Sequence, residues 1–419
     1  MRYVIIGGGP AGIFAAEAIR RRDRSSSIVI VTDEGEIARS PVMLTYWIGG
    51  EAPREGIWFR DPTWAEMNRV DLQLNRRAVA LKSSTHNLIL DNVEEMPYDR
   101  LLIATGSSPI SLPIPGAGLK GVHCLRQLSD AEAILIAIPT LQQVIIIGGG
   151  FIGLKIASQL KERGVEALIL EKEDRLAPRM FDGKASLFLV DLLGRKGIRA
   201  ETSVEVEEIL GKAGRVDAVK MKDGRILPSQ MVIQSVGVRP NTTFLTGSEI
   251  ILERGIPVNF RMETNVPGIY AAGDVALTLD SLTGEKVNNA TWPAASRQGT
   301  VAGTNMAGGN VSYIHNFSLN AFHLCGVPVM AAGNSGETRG QVLVEEGSDF
   351  YRKILLLDGR LTGFIMIGKI SQAGFLLARM KKKESLSDTD LRPESLLRRK
   401  QFPRGYGYRH GSLFPEHEM

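Results

Sequence analysis

The sequence predicts an α/β protein of two doubly wound, parallel-sheet units followed by a smaller α+β unit. Three observations carry this. Two glycine-rich turns recur 141 residues apart, each closing an apolar strand and opening a helix. Tyr3–Ile6 leads into Gly7, Gly9, Pro10, Ala11 and Gly12; Val144–Ile147 leads into Gly148, Gly150, Phe151, Ile152 and Gly153. Forty-five glycines with only 6% aromatic residues suit a fold rich in tight strand-to-helix turns. A length of 419 residues with 43% hydrophobic content supports two to three globular domains.

Both turns fit G-x-G-x-x-G. The first glycine makes the turn, the second lets backbone approach a pyrophosphate, and the third packs helix on strand. The pyrophosphate lies on a helix N-terminus, where free N–H groups and the dipole favour anions. Two such turns imply two Rossmann-like domains and two dinucleotides, and two dinucleotides on one protein point to electron exchange.

The helix after the first turn runs from about Pro10 to Arg22 and ends in three arginines, which suit the negative end of its dipole. The next strand, Ser27–Thr32, is closed by Asp33 and Glu34. They begin 26 residues after Gly7, near the distance at which an acid meets a ribose hydroxyl. Either carboxylate fits that role, and solvated loop charges are the competing reading. Residues 35–75 hold Trp47, Trp58 and Trp64 without strong periodicity. Arg77–Leu81 and His86–Leu90 look like paired strands, and Tyr98–Gly106 is a buried strand ending in a glycine turn. Pro109, Pro113 and Pro115 then mark a domain boundary. The second unit repeats the first: its helix closes at Gly164, and strand Ala167–Leu170 ends at Glu171, 23 residues after Gly148. Strand Gly268–Ala272 ends in Gly273 and Asp274, and Asn320–Gly368 is strand-like.

The most apolar stretch, Ala131–Ile147, is broken by Pro139, Gln142 and Gln143, so it reads as helix, loop and strand rather than a membrane span. A strand beginning at Tyr3 leaves no room for a signal peptide, and a cytoplasmic protein is expected. Net charge is +4, and residues 379–419 account for all of it with ten Lys/Arg against six Asp/Glu. A neutral core argues against nucleic acid as a partner. Cys124 and Cys325 form no C-x-x-C or C-x₄-C pair, so neither a dithiol relay nor a cysteine-held metal is expected. Each reads as a small buried hydrophobe.

Taken in order, these motifs resemble the FAD- and NAD(P)H-dependent pyridine nucleotide-disulfide oxidoreductase superfamily over residues 1 to about 378. The likeness is strongest to its branch without a redox disulfide: rubredoxin and ferredoxin reductases and the flavin region of NADH-nitrite reductases. The resemblance implies that Gly7, Gly9 and Gly12 hold the FAD pyrophosphate. It puts Val79 where a backbone group meets the adenine, and makes Ala104, Thr105 and Gly106 an A-T-G turn close to FAD. Gly273 permits close approach, and Asp274 accepts from the ribityl chain; a helix N-cap is the plainer reading of Asp274. Gly237–Asn241 resembles the return segment between nucleotide domains. Trp292 opens a helix whose N-terminus faces the flavin ring and favours its anionic reduced form; a plain core tryptophan is the alternative. Glu171 would bind both ribose hydroxyls and repel a 2′-phosphate, favouring NADH, with Lys172 and Arg175 nearby as counterweights.

Two departures matter. The disulfide branch needs C-x₄-C after the second strand, but Ser40–Thr45 has no sulfur nucleophile. Lys155 stands where the family pattern I-G-L-E has glutamate. The family register places it beside the nicotinamide and flavin edge. There it would stabilise reduced flavin or pair with a carboxylate from the FAD domain, the alternative being an idle exposed lysine.

The resemblance implies residues 1–111 and 243–309 as a discontinuous FAD domain, 112–242 as an inserted NAD(H) domain, 310–380 as a C-terminal domain and 381–419 as a basic docking tail. The expected function is transfer of electrons between NADH and an iron–sulfur or similar redox protein through FAD, by a homodimer or a hetero-oligomer. A weaker resemblance, to the NADH-linking subunit of phenylglyoxylate dehydrogenase-type complexes, suits the tail. The alternatives are an NADH oxidase using oxygen and a signalling flavoprotein resembling apoptosis-inducing factor.

Overall fold

The computed structural model describes residues 1–314, 316–336 and 339–385. Five parallel strands form the first sheet, in the order Ile269–Ala271, Arg100–Ile103, Arg2–Ile6, Ser27–Val31 and Val70–Gln73. The second sheet repeats it with Val122–His123, Met231–Gln234, Gln143–Ile147, Glu166–Leu170 and Arg199–Glu201. In both, the strand that feeds the glycine turn is central. Val4, Ile5, Ile145 and Ile146 are fully buried, because a parallel sheet is covered on both faces. That double burial is why these strands are apolar runs rather than alternating patterns.

Each unit also inserts a three-stranded antiparallel sheet. Ala78–Lys82, Asn87–Leu90 and Glu95–Pro97 form the first, with Leu81 and Leu88 packed under Val4 and Val29. Val206–Lys212, Arg215–Met221 and Ile226–Pro228 form the second, over Ile145 and Leu168. Antiparallel strands Ser107–Pro109 and Val238–Pro240 carry the chain out of the first unit and back.

Helices cover the opposite faces. Pro10–Arg22 and Trp292–Met306 pack with almost no side chain between them: a Cβ on Gly299 would strike the Ala11 carbonyl, and one on Gly303 would lie 2.7 Å from the Ala15 Cα. Both contacts advance by four residues in the same sense, so the helices run parallel and their N-termini open at the same end of the sheet. Gly303→Leu is expected to destabilise the fold by about 1–3 kcal/mol through overpacking and to loosen whatever the two N-termini hold. Chemical denaturation of the variant checks this, and unchanged stability would count against the close crossing.

An antiparallel sheet completes the described chain, in the order Leu319–Leu324, Val327–Gly333, Arg360–Ile367, Tyr351–Leu357 and Gln341–Glu346. Helix Ala373–Lys382 covers one face through Leu376 and Met380. The other face joins the core of the second unit through Leu324, Val329, Tyr351 and Ile365. Lys353, 1% exposed, reaches across to Asp182 at 3.0 Å, and the Tyr351 hydroxyl donates to the same carboxylate.

Sequence and structure differ in two places. Residues 35–75 contain a helix, Pro41–Gly49, that periodicity does not reveal. It is apolar nearly all round because it is wedged against helices Leu128–Ala137 and Phe151–Glu162. The two cysteines are half-buried rather than buried. Among the described residues no helix is long and apolar enough to cross a membrane. Of residues 381–419, read above as a basic docking tail, Lys381 and Lys382 end helix Ala373–Lys382, and residues 386–419 lie outside the described residues.

Candidate functional site: two glycine-turn cradles

The two glycine turns share their backbone geometry. Gly7 has φ +116° and its N–H donates to the Val31 carbonyl at 2.8 Å; Gly148 has φ +107° and donates to Leu170 at 2.8 Å. A side chain on Gly7 would strike the Ala104 carbonyl, and one on Gly148 the Ser235 carbonyl. Gly12 and Gly153 each face the carbonyl of the first glycine in their own turn. Gly9 and Gly150, by contrast, would place a Cβ in open space, at the N-caps of helices Pro10–Arg22 and Phe151–Glu162. An open cradle over a helix N-terminus fits a pyrophosphate, and both units have one. Pro10 and Ala11 lie in the first turn of one helix, Phe151 and Ile152 in that of the other. Phe151 packs edge-on to Phe181 and Phe322, and Ile152 is exposed.

Strand register extends the equivalence. Ile6 pairs with Ile103 and Ile147 with Gln234, so Ala104, Thr105 and Gly106 in the first unit match Ser235, Val236 and Gly237 in the second. Gly106 (φ +67°) and Gly237 (φ +120°) both use left-handed backbone to turn away from the cradle. The two turns are tied together: Thr105 Oγ1 donates to the Asn241 carbonyl at 2.8 Å, and Asn241 Nδ2 returns a bond to the Thr105 carbonyl at 2.9 Å.

Around the first cradle the predicted residues converge. The Gly273 N–H donates to Gln298 Oε1 at 2.8 Å, and its missing Cβ would sit 3.1 Å from that of Ala11. The Asp274 carboxylate accepts from Ser107 Oγ at 2.9 Å and from Arg126 at 3.1 Å, so it is a fixed acceptor rather than a helix cap. Trp292 lies edge-on to Phe14 and Phe59, and its indole N–H is buried without a hydrogen-bond partner, a donor that a bound ring system could use. At the strand end, Glu34 pairs with buried Arg39 at 2.6 Å, while Asp33 pairs with exposed Arg77 at 3.2 Å. Val79 falls at a β-bulge between Ala78 and Ala80, which leaves its backbone out of the ladder and its side chain exposed.

Around the second cradle, Glu171 is buried and accepts from the Gly149 N–H at 2.6 Å and the Glu173 N–H at 2.9 Å. Register places Thr32 at the matching position of the first unit, which explains why the acids there come one and two residues later. Lys155 is not an exposed lysine. It is 6% exposed, 3.5 Å from Glu51 and 4.0 Å above the Tyr46 ring. Burial pulls its ammonium below the usual lysine range, with Glu51 opposing. Burial pushes both thiols, Cys124 and Cys325, upward toward the unreactive protonated form.

Sequence reasoning did not find Arg39, Glu51, Ser107 or Arg126. Arg126 meets Asp274 across 148 positions, so no local spacing marks it.

The family model for pyridine nucleotide-disulphide oxidoreductases matches residues 1–299. An NADH oxidase of Methanocaldococcus jannaschii is 36% identical over 74% of this chain and 70% of its own length. The epsilon subunit of the NADH-dependent phenylglyoxylate dehydrogenase of Aromatoleum evansii is 30% identical over 92% of this chain and 93% of its own. A nitrite reductase [NAD(P)H] of Bacillus subtilis is 30% identical over 93% of this chain, which spans only 48% of that larger protein. A solved NAD-dependent persulfide reductase from A. fulgidus superposes with a TM-score of 0.86 at 26% identity, covering 92% of this chain and 77% of that one. The chain belongs to the pyridine nucleotide-disulphide oxidoreductase family and is an NAD(P)H-dependent flavoprotein oxidoreductase, with FAD and NAD(H) as its cofactors.

Proposed function

We propose that this chain is the NADH-reacting flavin component of an electron-transfer system, exchanging electrons between NADH and an iron–sulfur or similar redox protein as a subunit of a larger complex. The observation that carries the reading is the chemistry of the Pro41–Gly49 helix. Its first turn presents Pro41, half-exposed Val42 and Met43, with no thiol to receive electrons from a flavin. That favours an electron acceptor outside the chain. Similarity to a subunit of a multi-subunit dehydrogenase over nearly the whole of both chains supports the complex.

FAD supplies the conversion between a two-electron hydride and single electrons. The chain's residues do the rest. Gly7, Gly9, Gly12, Pro10 and Ala11 seat its pyrophosphate, and Glu34, the acid tied to buried Arg39, takes the ribose. The Val79 backbone meets the adenine, and Ala104, Thr105, Gly106, Gly273 and Asp274 hold the ribityl side. Trp292 opens a helix whose N-terminal N–H groups favour negative charge on the ring. Gly148, Gly150, Phe151, Ile152, Gly153, Glu171 and Gly237 seat NADH.

Anaerobic mixing with NADH is the test: the flavin should bleach within the turnover time, and an added ferredoxin-type iron–sulfur protein should restore its colour. Similarity to an NADH oxidase favours a second reading with oxygen as acceptor. Rapid oxygen consumption by the isolated chain, with no reduction of iron–sulfur proteins, would establish it and overturn the first.

A further inference from the structure

The helix that opens at the second glycine turn carries a polar stripe, Lys155, Gln159 and then Arg163 at its C-cap, at four-residue spacing on one face. Lys155 and Gln159 are buried, at 6% and 1% exposure. All three side chains grip one object, the end of the Pro41–Gly49 helix, which the chain reaches from the first unit and whose Leu44 and Ile48 are buried in the core of the second. Gln159 Nε2 donates to Glu51 Oε1 at 2.6 Å, the oxygen that also faces Lys155 Nζ. Arg163 Nε donates to the Ile48 carbonyl at 3.0 Å. The Tyr46 ring lies under the Lys155 ammonium, and Gly49 has no side chain because the Gln159 amide occupies its place.

Lys155 is an expensive residue here. Its ammonium is desolvated, and it lies near the positive end of its own helix dipole, where the related I-G-L-E pattern has an acid. The half-exposed carboxylate of Glu51 is the largest group opposing these costs, with Glu162 on the lysine's own helix adding to it, and Glu51 sits on a segment that the chain sends across from the first unit. The ion pair therefore ties the helix that starts at the second cradle to the arm that the chain sends across from the first unit.

We propose that Glu51 is a positioning residue for hydride transfer: through Lys155 and Gln159 it sets the NADH-binding helix against the arm from the FAD unit, as an ion pair whose lysine replaces the family's acid. This rests on the reading that NADH reduces FAD in this chain. The partnership has a clean signature, because exchanging the charges should preserve it. Lys155→Glu and Glu51→Lys would each place two like charges at this contact, while the double variant restores an opposite pair with the family's acid at position 155.

The test compares the FAD-loaded wild type, both single variants and the double variant. The singles should bleach about tenfold or more slowly at saturating NADH. The double should return to within about threefold of wild type. The change in the oxidised flavin's visible spectrum on adding NAD⁺, a readout without turnover, should weaken in the singles and recover in the double. If a reversed single fails to load FAD, Glu51→Gln takes its place and must show the slower bleaching and the weaker spectral change. Singles at the wild-type rate, or a double no faster than the slower single, would overturn the clasp while leaving the NADH reaction standing. Failure of NADH to bleach the wild type would instead remove the functional reading and the clasp with it.

Discussion

Asp274→Ala should lose FAD. Its carboxylate is 13% exposed and takes hydrogen bonds from Ser107 and Arg126 through one oxygen, leaving the other free for a ribityl hydroxyl. Deleting it removes that acceptor and also strands a partly buried guanidinium beside a buried serine. A partly buried charge without its partner costs on the order of a few kcal/mol. A rise in the FAD dissociation constant of about tenfold or more is expected, equivalent to about 1.4 kcal/mol. Arg126→Ala separates the two effects, since it keeps the acceptor and removes the group that aims it. It should weaken FAD binding less than Asp274→Ala. Flavin occupancy after desalting and equilibrium titration of the apoprotein measure both. Full occupancy with unchanged affinity in Asp274→Ala would rule out the role.

The cradles were legible from sequence because they are local. A glycine turn is written in six consecutive residues, and the geometry of Gly7–Gly12 and Gly148–Gly153 follows from glycine's freedom at positive φ and the absence of a Cβ at Gly9 and Gly150. What surrounds the cradles is not local. Arg126 aims Asp274, and Glu51 compensates Lys155 from 104 positions away. A sequence shows Lys155 as anomalous against the family pattern but cannot name its partner, because any of several acids in the first unit would satisfy the charge. The Pro41–Gly49 helix was hidden for a related reason. Burial between two neighbouring helices removes the polar face on which a 3.6-residue pattern depends. Asp33 and Glu34 were indistinguishable by spacing. Their arginine partners differ, Glu34 on buried Arg39 and Asp33 on solvent-facing Arg77, and the proposal of Glu34 for the ribose rests on that difference.

Wild-type protein should use NADH in preference to NADPH, and Glu171→Gln should erode that preference. Glu171 is buried, and the Gly149 and Glu173 N–H groups fix its carboxylate beside the second glycine turn. A ribose hydroxyl there finds a ready acceptor, whereas a 2′-phosphate meets a fixed negative charge. At 4 Å and an effective dielectric near 20 that repulsion is about 4 kcal/mol per unit charge, before screening. The two cations nearby already face acids, Lys172 at 3.7 Å from Glu205 and Arg175 at 2.8 Å from Asp174, which weakens but does not cancel their pull on a phosphate. The amide introduced by Glu171→Gln would lose the charge, keep an acceptor for one of the two backbone N–H groups and set its NH2 against the other, so stability and FAD content are measured beside the rates. The ratio of kcat/KM for NADH over NADPH should fall by about tenfold or more, chiefly through weaker discrimination against NADPH. Steady-state rates with both nucleotides on matched FAD-loaded samples decide it. Equal use of NADPH by the wild type, or an unchanged ratio in the variant, would show that specificity resides elsewhere on the second cradle.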